Sequence, residues 1–105
     1  MEDGSLVNAL GRIEMGPDDG QTAVVALIGA MDMDVSQQLR AVLDGITSPN
    51  VLVDMRETTF IDSVTIGTLV AARQKGRVLS LRGLNGAPLR ALEQSGVTEL
   101  FELQP

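Results

Sequence analysis

The sequence predicts a single α/β domain, built as a small mixed β-sheet with helices packed mainly on one face. Three observations predict it. Short apolar runs (Thr22 to Ile28, Val51 to Met55, Arg77 to Arg82) alternate with segments of helical periodicity, an order that calls for parallel neighbours in one layered unit. The chain has 105 residues, 44% of them hydrophobic, which suits one domain with one core. No internal repeat, low-complexity tract or linker divides it.

Residues 1–8 read as a flexible N-terminus and residues 9–105 as the domain. Ala9 to Met15 forms a short edge strand, closed by the turn Gly16-Pro17-Asp18-Asp19-Gly20. Thr22 to Ile28 is short, nearly unbroken and rich in β-branched residues, so it predicts a strand buried on both faces and stopped by Gly29. Asp34 with Gln37 three positions on is a capping-box arrangement. It opens a helix whose inner face is Val35, Leu39, Val42, Leu43 and Ile46, ending before Ser48-Pro49-Asn50.

Val51 to Met55 is the next strand. Asp54 within it needs a hydrogen-bond partner and reads as structural. Arg56-Glu57-Thr58-Thr59 is a polar loop. A second helix runs from Ser63 to Gln74, with Lys75-Gly76 as its stop. Arg77 to Arg82 is a strand and Gly83-Leu84-Asn85-Gly86 a turn. Pro88 fits the first position of a third helix, with Leu89 and Leu92 inward. Gly96 ends it, and Val97 to Leu103 closes the domain with a short strand.

Composition narrows the chemistry. A formal net charge of −6 argues against nucleic acid, which needs a basic footprint, and against an anionic membrane surface. Without cysteine or histidine, disulfides, thiolate or imidazole metal sites and histidine-based triads are excluded. Two phenylalanines are the only aromatic residues, so base-stacking platforms and aromatic cages are absent. The expectation is a binding protein rather than an enzyme, with no metal and no cofactor. The acidic start Met1-Glu2-Asp3-Gly4 is unlike a signal peptide. No apolar run approaches the roughly 18–20 residues that span a bilayer. Both point to a cytoplasmic protein.

The chemically informative stretch is Phe60-Ile61-Asp62-Ser63-Val64-Thr65-Ile66-Gly67. It sets a carboxylate and a hydroxyl where a strand region meets the first turn of a helix, whose unpaired N–H groups and dipole accept negative charge. Ser63 there is either the helix cap or a residue that carries phosphate.

Three motifs in this order resemble a STAS domain of the anti-sigma factor antagonist family. They are Leu27-Ile28-Gly29-Ala30-Met31-Asp32, then Val51-Leu52-Val53-Asp54 leading to Phe60-Ile61-Asp62-Ser63, then Leu92-Glu93-Gln94-Ser95-Gly96-Val97. The resemblance spans about Ala9 to Leu103. It implies that Ser63 is the phosphoacceptor and that Asp62 and Asp32 share its partner-facing rim. With Val64, Thr65, Ile66 and Thr58 these form the expected partner-binding set, and Thr58 is a second phosphoacceptor candidate. The implied partner is an anti-sigma factor of the serine-protein kinase type, whose capture releases a sigma factor until Ser63 is phosphorylated. The expected state is a monomer or weak dimer. The rival role is a STAS scaffold subunit, without phosphorylation, in a larger signalling or lipid-transport assembly. One feature departs from the family run: Val64 and Thr65 put β-branched side chains where small ones are usual, adding bulk beside Ser63.

Overall fold

The computed structural model describes residues 11–105 apart from residue 75. The reading of residues 1–8 as a flexible terminus, the Ala9 strand start and the Lys75 stop therefore lie outside the described residues. The elements run β1 (Arg12–Asp18), β2 (Thr22–Met31), α1 (Met33–Gly45), β3 (Asn50–Asp54), β4 (Thr58–Ile61), α2 (Ser63–Gln74), β5 (Val78–Arg82), α3 (Gly86–Gln94), a 3-10 turn (Thr98–Leu100) and β6 (Glu102–Gln104). One mixed sheet has the order β1-β2-β3-β5-β6, with β4 paired to β2. β1 is antiparallel to β2, and the other pairs are parallel.

The core lies between the sheet and the helices. Ala23, Val25, Leu27 and Met31 from β2 meet Val51, Val53, Leu79 and Leu81 from β3 and β5. Leu39 and Leu43 of α1, Leu69 of α2 and Leu92 of α3 close over them. Burial along β2 alternates strictly between buried and half-buried. The strand is thus covered fully on one face only, which corrects the expectation of burial on both. Its apolar run reflects a half-open second face carrying Val24, Ala26 and Ile28.

β2 also continues past Gly29, which sits at φ +84° inside the strand, a conformation that glycine adopts without a Cβ penalty. The register shifts there, Gly29 N–H donates to Glu57 O at 2.9 Å, and the ladder passes from β3 to β4. The segment read as a polar loop therefore contains the start of a strand. Thr58 begins β4, buried, with its hydroxyl donating to Leu27 O at 2.7 Å.

Two helix starts differ from expectation. Asp32, not Asp34, caps α1, its carboxylate accepting from Val35 N–H at 3.4 Å. Asn85 stands at the N-cap of α3 and Pro88 falls third rather than first. That position is equally harmless, because first-turn N–H groups have no partner within the helix. Asp54 closes β3 in an ion pair with Arg56, 2.6 Å between Oδ2 and Nη2. The guanidinium hydrogen bond holds the Asp54 carboxyl below its ordinary value.

Candidate functional site

The carboxyl ends of β2 and β4 lie side by side, with Ala30 opposite Phe60 and Met31 opposite Ile61. Each strand feeds directly into a helix, so Asp32 and Asp62 arrive together at the starts of α1 and α2. Sheet pairing brings together residues thirty positions apart.

Asp62 does the capping that Ser63 was a candidate for. Its Oδ1 accepts from Thr65 N–H and from the Thr65 hydroxyl, each at 2.8 Å, and from the Ser36 hydroxyl at 3.3 Å. Its backbone carbonyl accepts from Ile66 N–H at 3.2 Å. Desolvation pushes the Asp62 carboxyl upward, but the hydrogen bonds from Thr65 and Ser36 together outweigh it and leave the group below its ordinary value. Ser63, first residue of α2, is exposed. Its hydroxyl is engaged by no partner among the described residues.

The expected partner-binding set separates into two groups. Asp32 and Ser63 are exposed, Asp62 is half-buried, and Val64 is 40% exposed. Thr65 and Thr58 are buried and hydrogen-bonded inward, and Ile66 belongs to the core. In this structure those three side chains offer little or no surface to a partner, and the Thr58 hydroxyl is turned inward. The bulk attributed to both β-branched positions falls on Val64 alone.

Two residues at the site escaped the sequence reading. Phe60, 49% exposed on β4, is a large apolar side chain two positions before Asp62. It opens the motif itself, and an aromatic residue there was the available signal. Ser36 carried none, since nothing local says that a helix serine will meet a residue 29 positions later.

The depressed Asp62 carboxyl has a pH consequence. A carboxyl lowered in the folded chain stabilises fully above its unfolded value of about 3.9, and that contribution is lost as pH falls through the folded value. Asp62→Ala, which removes the accepting oxygen, is expected to cost on the order of 1 kcal/mol at neutral pH, as the loss of a helix cap does. The gap between wild type and variant in urea midpoint should narrow below about pH 4. A gap that stays constant into acid would contradict this assignment.

A half-buried carboxylate bound to two buried hydroxyls thus lies beneath an exposed helix-start serine, at the carboxyl edge of a mixed sheet. Among the described residues no group of three carboxylates is placed to hold a metal ion. The chain belongs to the STAS domain family: the family model described as Mlab, STAS domain matches residues 17–104. Among solved structures it is similar to an anti-sigma factor antagonist from Mycobacterium paratuberculosis, with 23% identity and a TM-score of 0.75, over 92% of this chain and 87% of that one. It is also similar to the anti-sigma factor antagonist SpoIIAA in its unphosphorylated form, with 15% identity and a TM-score of 0.77, over 88% and 87%. A sulfate transporter family protein from Wolinella succinogenes shares 22% identity and a TM-score of 0.69, over 83% and 78%. At these identities the likeness is one of fold. No curated protein matches the sequence.

Proposed function

We propose that the chain is a regulatory binding module of the anti-sigma factor antagonist type. Unmodified, it binds an anti-sigma factor of the serine kinase class through Asp32, Asp62, Ser63 and Val64, and so releases a sigma factor. Phosphate on Ser63 ends that binding. The chain is the substrate and ligand of this reaction; ATP and its metal belong to the kinase.

The observation that carries the reading is the division of labour at the start of α2. Asp62 has taken over the cap, so the Ser63 hydroxyl is exposed and uncommitted. Phosphorylation there adds about −1.5 to −2 charge beside a carboxylate that is already ionised. The helix start tolerates that charge within the domain, whereas a partner surface fitted to Asp62 and a neutral hydroxyl does not. The test is incubation with a serine-kinase anti-sigma factor and ATP, followed by mass spectrometry of the Ser63 peptide. A single phosphate on Ser63 is expected, and an unmodified peptide beside a phosphorylated control substrate would remove the reading.

A scaffold role without phosphorylation is the second reading, and one observation favours it. Val64 lines a groove of about 260 Å3 together with Gly67 and Ala71 of α2 and Arg40 of α1. A constitutive partner in a larger signalling or lipid-transport assembly would use that groove without touching Ser63. In that case Ser63→Ala, Ser63→Asp and wild type would all join the assembly equally.

A further inference from the structure

Beneath the rim lies a closed set of polar contacts between the two helix starts. Ser36 on α1 and Thr65 on α2 are both completely buried, and their hydroxyl oxygens are 2.6 Å apart. The Ser36 hydroxyl also reaches Asp32 O at 2.8 Å and Asp62 Oδ1 at 3.3 Å. The Thr65 hydroxyl reaches Asp62 Oδ1 at 2.8 Å and Met31 O at 3.2 Å.

Each hydroxyl has one proton, so these contacts cannot all be donated at once. The carboxylate is the strongest acceptor present, which assigns the Thr65 proton to Asp62. Ser36 then donates to Thr65 Oγ1, the shortest contact, with Asp32 O as its alternative. The result is a relay, a chain of donation from the Ser36 hydroxyl on α1 through the Thr65 hydroxyl to the Asp62 carboxylate at the start of α2. No buried side-chain nitrogen or oxygen among the described residues lacks a partner, so the relay is fully satisfied, the condition under which a buried polar network rigidifies rather than weakens its surroundings. Thr65 is also one of the two positions where this run departs from the small residues usual in the resembling family. At that position a small side chain without a hydroxyl would leave the relay open.

We propose that Ser36 and Thr65 are the positioning residues of the Ser63 rim, their hydroxyl pair clamping the first turns of α1 and α2 together so that a change at one helix start is transmitted to the other. The clamp deepens the antagonist reading and rests on it for what the rim meets. Its ends are the Ser36 hydroxyl on α1 and the Asp62 carboxylate at the start of α2, and Asp62 is the one carboxylate to which the chain of donation leads.

The test compares the full chain with Thr65→Val, Thr65→Ser and Ser36→Ala, using backbone amide exchange and carbon-detected NMR titration of the Asp62 carboxyl. Thr65→Val keeps the shape and removes the hydroxyl. It is expected to raise the Asp62 midpoint by about one pH unit and to quicken exchange of the Ser36 amide, on the other helix, about tenfold. Thr65→Ser restores both. A mere local cap would alter α2 amides and leave those of α1 unchanged. The clamp is overturned if Thr65→Val leaves both readouts at wild-type values, or if Thr65→Ser behaves like Thr65→Val. Should Thr65→Val not fold, Ser36→Ala supplies the reciprocal measurement, faster exchange of the Thr65 amide with a higher Asp62 midpoint. A wild-type chain that shows the coupling yet resists phosphorylation on Ser63 supports the clamp and removes the antagonist reading. Normal phosphorylation without coupling removes the clamp alone.

Discussion

In the proposed antagonist role, Ser63→Asp and Ser63→Glu are expected to weaken binding of a serine-kinase anti-sigma factor at least ~100-fold, a cost of about 2.7 kcal/mol, while Ser63→Ala stays within about threefold of wild type. The asymmetry follows from where the charge lands. Ser63 is the first residue of α2 and is exposed, so within the domain a new carboxylate meets the favourable end of the helix dipole. Thermal stability should be unchanged to within about 0.5 kcal/mol, as for an ordinary surface substitution. Across the interface the same carboxylate adds a second negative charge beside Asp62, whose hydrogen bonds keep it ionised, and it must be desolvated without a partner of its own. Titration calorimetry with the three variants reads this directly. Equal affinities would show that the rim does not sense charge at Ser63.

Leu69→Ala is expected to produce the opposite pattern, a large loss of stability without a direct effect on the rim. Leu69 is fully buried in the middle of α2 and belongs to the core cluster shared by the sheet and the helices. Truncating it removes buried methyl groups and leaves a cavity, at a cost of about 3 kcal/mol. A domain of this size has roughly 5–15 kcal/mol in total. The midpoint of thermal unfolding, followed by circular dichroism, should therefore fall by about 15 °C. A shift of only a few degrees would mean that α2 packs far less tightly than the burial of Leu69 requires. With Ser63→Asp this variant separates the two faces of one helix, its outer start proposed for recognition and its inner side packed in the core.

Much of this was legible before any coordinates. The span of α2 was read correctly as Ser63–Gln74, because its signals are local: an aspartate before the first turn, an apolar interior and a glycine after the end. The same local logic failed at α1, where Asp32 and Asp34 are both competent caps and only the backbone path out of β2 selects between them. It failed at β4 as well. Four residues beginning Thr58-Thr59 have too little apolar pattern to announce a strand, and their pairing depends on β2 running on beyond a buried glycine at positive φ.

The site divides along the same line. The motif from Phe60 to Gly67 could be singled out from the sequence, and its resemblance to STAS domains located Ser63 and Asp62 within it. The direction in which each side chain points could not be read. Thr65 and Val64 look alike as adjacent β-branched residues, yet helical geometry turns one into the core and leaves the other on the rim.

By itself the sequence determined the class of fold, the order of most elements and the absence of histidine and cysteine chemistry, because these depend on periodicity and composition carried by neighbouring residues. Only the tertiary structure decided that Asp62 is the cap, that the Ser63 hydroxyl is left uncommitted, and that Ser36 meets Thr65. Those facts depend on parallel pairing of β2 with β4, which sets two helix starts side by side from positions some thirty residues apart. Contacts of that range leave no local signature for a sequence pattern to carry.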